Sequence, residues 1–135
     1  TGFKIARRTI SRIKGPTATH FASGNCLPIA DLLPQTGTAV VGVSSKEELA
    51  QLKQAFKNKL TVLGNLNGIE MRRWTTEQTR TMVRDAIETA APGGGFILSD
   101  NHGEIPFQVP DEVLKNISET VLEYGRYPIK SHHGV

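Results

Sequence analysis

The chain has 135 residues, a length that suits one domain rather than two. Hydrophobic residues make up 38% of it and charged residues 21%, both ordinary for a soluble globular protein. The net charge of +3 comes from scattered basic residues without interleaved aromatic side chains, so we expect no nucleic-acid partner.

Helical and β-rich segments alternate along the first half of the chain. Residues 4–14 have the pattern of the end of a helix already in progress, so we expect further residues upstream of Thr1. A predicted strand at 17–22 precedes a helical stretch at 26–35. A second strand at 39–43 precedes a helix that residues 45–48 would open as a capping box. Leu49, Leu52 and Phe56 form the apolar face of that helix.

The second half repeats the alternation. A third predicted strand at 60–64 precedes a helix that begins with a capping box formed by Thr75 and Gln78. A fourth at 95–99 precedes the last helix, which Gly125 is expected to end as a left-handed cap. The apolar stripes of these helices are Met82, Val83, Ala86, Ile87 and Ala90 and, in the last helix, Leu114, Ile117, Val121 and Tyr124.

This alternation predicts an α/β fold with a parallel sheet and its helices on one face. Four β/α units make either an open sheet or half of a (β/α)8 barrel. We predict a single domain over residues 1–135 with a loose tail at 130–135. No apolar run approaches the ~18 residues of a membrane span, no secretory leader is visible, and the only cysteine is Cys26. We therefore expect a cytoplasmic protein with no membrane partner.

Polar side chains follow three of the predicted strands, at the strand ends where parallel α/β folds place their chemistry. The first strand ends near His20, the loop after the third holds Asn65 and Asn67, and the loop after the fourth holds Asp100, Asn101, His102 and Glu104. Aspartate, histidine and glutamate can serve as acid, base or ligand, so the last loop is the best candidate for a site. Each position also has a structural explanation, as a hydrogen-bonded histidine, a tight turn or an ordinary polar loop.

Four sequence pieces carry a family resemblance, and in chain order they read VVGVSS, LTVLGNLNG, GGFILSDNHGEIP and VLEYGRYP. Over residues 16–128 they resemble the C-terminal half of the uroporphyrinogen decarboxylase-like superfamily. That superfamily includes the decarboxylase of haem biosynthesis and corrinoid-dependent methyltransferases. The resemblance implies that this chain is the C-terminal four β/α units of a (β/α)8 TIM-type barrel, without its N-terminal half.

The resemblance also implies functional residues. In the decarboxylases the histidine of the last-strand His-Gly pair contacts the substrate, and His102 matches it. We predict catalytic roles for His102 and Asp100. The predicted binding residues, for substrate or cofactor, are His20, Asn65, Asn67, Asn101 and Glu104.

Departures from the decarboxylase pattern indicate the branch. Decarboxylases usually read Gly-Asn-(Leu/Met)-Asp-Pro after the third strand and Asn-Leu-Gly-His-Gly after the last. Here residues 64–68 lack the Asp-Pro, and residues 99–103 keep only the His-Gly pair. We predict a methyltransferase that moves a methyl group between a donor, a corrinoid protein and a thiol or folate acceptor. The alternatives are the decarboxylase itself, which uses no cofactor, and a non-catalytic half-barrel that binds a ligand or assembles with another chain.

Zinc is a further possibility that the resemblance raises. Zinc-dependent thiol methyltransferases of this superfamily read His-x-Cys on the first strand of this half, with another cysteine after the last strand. Here His20 matches, but Ala22 replaces the cysteine and the later cysteine is missing. A set of His20, Cys26 and His102 would supply the three protein ligands of a catalytic zinc.

Assembly and activity follow from the missing half. We expect the chain to form a homodimer or to associate through its open sheet face. Alone, it should be inactive, because a barrel site draws residues from several strands.

Overall fold

A computed structural model describes residues 2–56 and 59–129, so the tail predicted at 130–135 lies outside the described residues. Within the described part, four strands form one sheet of order β1-β2-β3-β4, and every neighbouring pair is parallel. The strands are β1 Ala18–His20, β2 Val40–Gly42, β3 Thr61–Leu66 and β4 Phe96–Asp100. The predicted parallel α/β fold is confirmed.

Helices alternate with these strands, as the sequence predicts. The α-helices in the described residues are α1 Gly2–Ile10, α2 Leu49–Phe56, α3 Thr76–Ala90 and α4 Asp111–Tyr124. Short 3-10 turns lie at Leu27–Ile29, Leu33–Thr36 and Glu70–Arg73. The prediction of one helix at 26–35 is wrong in detail, because two 3-10 turns replace it. Pro34 has no N–H to donate to the carbonyl four residues earlier, which an α-helix would require.

The two predicted capping boxes have different outcomes. Thr75 and Gln78 form theirs: the Gln78 N–H donates to Thr75 Oγ1 at 3.2 Å, and the Thr75 N–H donates to Gln78 Oε1 at 2.9 Å. The box at 45–48 is wrong, since α2 begins only at Leu49. The side chain of Glu47 instead accepts hydrogen bonds from the backbone N–H groups of Cys26 and Leu27, at 2.7 and 2.8 Å.

Gly125 ends α4 for a reason other than the predicted left-handed cap. Its φ is −85°, an ordinary right-handed value. Its N–H donates to the Val121 carbonyl oxygen at 2.8 Å, and a Cβ at this position would lie 2.6 Å from that same oxygen. Glycine is therefore favoured at position 125 because a side chain would collide with the Val121 carbonyl oxygen, and not because the backbone adopts a left-handed conformation.

The core lies between the sheet and helices α2, α3 and α4. The paired row Thr19, Val41, Val62 and Phe96 faces these helices, and Val41 and Val62 are fully buried. The next row is His20, Gly42, Leu63 and Ile97; it faces the opposite side, where Ile97 is 47% exposed. The described residues thus form a sheet covered by helices on one face and open on the other.

Helix α4 buries most fully a face that lies beside its predicted apolar stripe. Its buried residues are Val113, Asn116 and Thr120, and it packs chiefly against α3. The predicted stripe of Leu114, Ile117 and Val121 is only partly buried and lines a groove beside β4. This β4 groove has a volume of about 720 Å³ and is also lined by Leu66, Met71 and Leu98. Met82, predicted to pack in the core, is 46% exposed.

Across residues 2–56 and 59–129, every helix is too short or too polar to cross a membrane.

Candidate functional site

The carboxyl ends of the strands meet at one edge of the sheet because all of the described strands run in parallel. His20 is the last residue of β1, Leu66 of β3 and Asp100 of β4. The loops that follow β3 and β4 therefore start side by side, and the predicted polar residues begin there.

The loop after β4 folds around the carboxylate of Asp100. Its Oδ2 accepts the backbone N–H of His102 at 2.8 Å and that of Gly103 at 3.0 Å. Gly103 has a φ of +82°, a conformation that side chains other than glycine adopt only at an energetic cost. The backbone at His102 is thus held close to the end of a rigid strand.

Asn101 joins this loop to the loop after β3. It is 3% exposed, and its N–H donates to the Leu66 carbonyl at 2.9 Å. Its Oδ1 accepts the N–H of Gly68 at 3.4 Å. A Cβ on Gly68 would lie 3.3 Å from Asp100 Oδ2 and 3.6 Å from Cδ2 of the His102 ring, so the ring passes directly over this glycine.

His20 approaches the same loop from β1, the strand farthest from β4 in the sheet. Its imidazole lies across Gly42, its partner on β2, where an added Cβ would be 2.4 Å from His20 Nδ1. A Cβ on Gly103 would be 3.8 Å from His20 Nε2. The structure therefore brings His20 and the His102 loop together, although their strands lie at opposite ends of the described sheet.

Asn65, predicted in the loop, lies inside β3, Asn67 follows the strand, and both side chains have structural partners. Asn65 Nδ2 donates to the carbonyl oxygens of Ser44 and Glu47, at 2.9 and 2.8 Å. Asn67 Oδ1 accepts the N–H groups of Ile69 and Glu70, at 3.1 and 3.2 Å, and opens the following 3-10 turn. Both side chains therefore bond to backbone groups outside the His102 loop, whereas Glu104 lies exposed on that loop.

Cys26 is located in the core. It is fully buried and packs in the same apolar cluster as Ala30, Leu33 and Val41. Burial, reinforced by the neighbouring Glu47 carboxylate, raises the pKa of the Cys26 thiol to about 12. Zinc binds thiolate, which such an environment disfavours.

The structure does not assemble the zinc set of His20, Cys26 and His102. Within residues 2–56 and 59–129, no three His, Cys, Asp or Glu side chains are grouped closely enough to hold a metal ion. The residues present do not fit a zinc centre, and we assign no chemistry to zinc here.

The Cys26 thiol should be nearly inert in the folded protein. The gap between its ordinary pKa of 9.0 and about 12 corresponds to roughly a thousandfold less thiolate at neutral pH. Because the folded pKa is the higher one, the associated stability is present below pH 9 and is lost as the pH rises from 9 towards 12. Labelling with a chromogenic disulfide at pH 8 should be slow in buffer and fast in urea. Rapid labelling of the native chain would contradict this burial, and Cys26→Ser gives the background rate.

Sequence reasoning overlooked Gly42, the glycine that makes room for the His20 imidazole. Glycine inside a strand often marks a close approach of another group, so Gly42 within an otherwise β-branched run was an available signal. The identity of the approaching group was not available, because it depends on the pairing of β1 with β2.

The comparisons with known proteins agree with this architecture. The uroporphyrinogen decarboxylase (URO-D) family matches residues 3–124. The uroporphyrinogen decarboxylase of Magnetococcus marinus is 28% identical over 115 residues, which cover 85% of this chain and 31% of that protein. A methyltransferase from Methanosarcina mazei superposes with a TM-score of 0.77 at 18% identity, over 92% of this chain and 36% of that one.

These matches differ in what they establish. The chain spans about a third of the length of both relatives. The structural likeness to the methyltransferase, at 18% identity, shows a shared fold, that of part of a (β/α)8-type barrel. The family match covers most of the sequence. The chain therefore belongs to the uroporphyrinogen decarboxylase family.

Proposed function

We propose that this chain supplies the C-terminal half of a corrinoid-dependent methyltransferase barrel. The observation that carries the proposal is the convergence of His20 with the His102 loop at the carboxyl ends of the strands. Parallel α/β enzymes place their reactive groups at that edge. The departures of residues 64–68 and 99–103 from the decarboxylase pattern favour the methyltransferase branch.

In this proposal the two imidazoles handle protons at the methyl acceptor. A thiol acceptor must lose its proton to become nucleophilic, and a neutral imidazole is the usual side chain to take it near neutral pH. His102 is the better candidate for that base, because its backbone is anchored at both Asp100 and Asn101. His20 would orient the acceptor from the opposite side.

The corrinoid would be carried by a partner protein and would supply a cobalt that can take up and release the methyl group. Ile105 and Phe107 follow His102 on the same loop, and they are 48% and 100% exposed. Exposed apolar side chains beside a polar site suit the docking of a broad apolar surface. We assign these two side chains to the rim that faces the partner.

Uroporphyrinogen decarboxylase activity is the second candidate. It is favoured by the 28% identity to the Magnetococcus marinus decarboxylase and by the retained His102-Gly103 pair. In that case the substrate would be a porphyrinogen, and no cofactor would be needed. A third reading, a non-catalytic assembly module, is supported by the open face and the unpaired β4 edge of the described sheet.

Variants of the full-length parent protein test the site. The parent would be supplied with methylcobalamin and either a thiol or tetrahydrofolate while the cobalamin spectrum is followed, and separately with uroporphyrinogen. We expect methyl transfer, and His102→Ala should slow it by ~10²–10⁴-fold, the usual contribution of a general base. Decarboxylation without methyl transfer would instead support the second candidate.

Gly42→Ala provides a second variant, in which none of the predicted site residues is itself replaced. The new Cβ would occupy the position of the His20 ring, so the imidazole must move, and activity should fall as it does in His20→Ala. The matched control is Gly2→Ala, where a Cβ meets no described atom within 4 Å. Equal activity of both glycine variants would remove His20 from the site.

A further inference from the structure

We propose that Asp100 is a positioning residue, which holds His102 in place through the backbone, and that it does not itself transfer a proton. This inference rests on the proposed role of His102 in the site. It revises the catalytic role that the sequence predicts for Asp100.

The hydrogen bonds of Asp100 support this assignment. One oxygen, Oδ2, accepts both the His102 and the Gly103 N–H, at 2.8 and 3.0 Å. Bonds from N–H groups to an ionised oxygen are roughly twice as strong as neutral ones. Gly103, the donor of the second bond, has a φ of +82°, which favours glycine at this position of the turn. The carboxylate is therefore the centre around which the turn is built.

Asn101, the next residue, makes this turn rigid, and the hydrogen bonds of Asp100 and Asn101 together form a frame for His102. Asn101 is 3% exposed and bonds through its N–H to Leu66 and through Oδ1 to Gly68. Asp100 thus holds the backbone of its own loop, and Asn101 ties that loop to β3 and to the loop after it. The His102 ring is the first side chain beyond this frame, and it lies over Gly68. Any loss of the Asp100 bonds would be transmitted directly to the imidazole.

The two possible roles of Asp100 require different chemistry. A proton-transferring residue must be able to ionise, whereas a positioning residue needs only an acceptor oxygen. Asparagine keeps that oxygen and readily forms the same local turn, but it cannot act as a base. Alanine removes both properties. Asp100→Asn and Asp100→Ala therefore separate positioning from proton transfer.

The test combines amide exchange, histidine reactivity and turnover. In mass-spectrometric hydrogen exchange of the full-length parent, Asp100→Ala should lose the protection of two amides, those of His102 and Gly103, and Asp100→Asn should keep it. Modification of His102 by diethyl pyrocarbonate should quicken in Asp100→Ala and stay near the wild-type rate in Asp100→Asn. Turnover should fall by ~10²-fold in the alanine variant, as expected for a small misplacement of a reacting group, and should be largely retained in the asparagine variant.

Asp111→Ala, in the exposed first turn of α4, is the matched control and should change none of these measurements. The inference is overturned if Asp100→Asn keeps amide protection but loses as much turnover as Asp100→Ala, since that identifies a proton-transfer role. It is equally overturned if Asp100→Ala leaves the exchange, or turnover, unchanged. If neither activity is detected, the proposed function fails, while exchange and histidine reactivity still decide the role of Asp100.

Discussion

The 135-residue chain by itself is expected to show neither methyl transfer nor uroporphyrinogen decarboxylation. A barrel site takes residues from the ends of several strands, and this chain spans 31% and 36% of the two relatives it matches. Holding reactants in near-attack geometry can supply about 7–11 kcal/mol of the barrier reduction. In the proposed site, His20 and His102 would contact a substrate from one half of the barrel only, so most of that positioning should be lost.

The measurement is the same pair of assays used for the full-length parent, run on the isolated chain at equal concentration. The cobalamin spectrum should stay constant, and uroporphyrinogen should persist beyond the uncatalysed rate. The control is the parent protein under identical conditions. Turnover by the isolated chain that disappears in His102→Ala would show that these residues form a complete enzyme.

The isolated chain is also expected to associate with itself. The open face carries Leu63 and the 47% exposed Ile97, and β4 pairs on one side only within the described sheet. An unpaired edge strand with apolar neighbours is a template for pairing with another chain. The β4 groove, about 720 Å³ in volume, leaves further apolar side chains uncovered on the helix side of the same strand.

Size-exclusion chromatography with light scattering should therefore give a dimer or a larger species at micromolar concentration. Ile97→Lys places a charge on the open face and should shift the population towards monomer. Ile5→Lys is the matched control, since Ile5 is 61% exposed on α1, outside the sheet, and its replacement should change nothing. A wild-type chain that stays monomeric at high concentration would contradict an uncovered barrel interior.

Local sequence patterns were sufficient for much of the fold. Each of the four observed strands overlaps its predicted position, and β4 ends at Asp100, one residue beyond the prediction. The Thr75 capping box formed as predicted because both of its partners lie within three residues. The placement of His20 and His102 at one edge also followed from the sequence, since parallel strands align their carboxyl ends.

Non-local competition explains the predictions that failed. The box predicted at 45–48 does not form because α2 begins only at Leu49, and in this segment the Glu47 carboxylate accepts two backbone N–H groups that lie 20 and 21 residues away. Leu114, Ile117 and Val121 pack against the core but are only partly buried, because α4 packs chiefly against α3, which buries a neighbouring stripe. Neither outcome is encoded in the spacing of residues along one helix.

The sequence by itself determined which segments become strands and helices, the direction of the strands, and which loops carry polar groups. Those properties depend on side-chain periodicity and on caps, which act over a few residues. Only the tertiary structure decided what the polar groups do. Asp100 and Asn101 fix the His102 loop, whereas Asn65 and Asn67 bond to backbone groups outside it, which leaves the imidazoles of His20 and His102 as the candidate reactive groups. Hydrogen-bond partners far apart in sequence, and the space that Gly42 leaves for the His20 ring, exist only once the strands have paired.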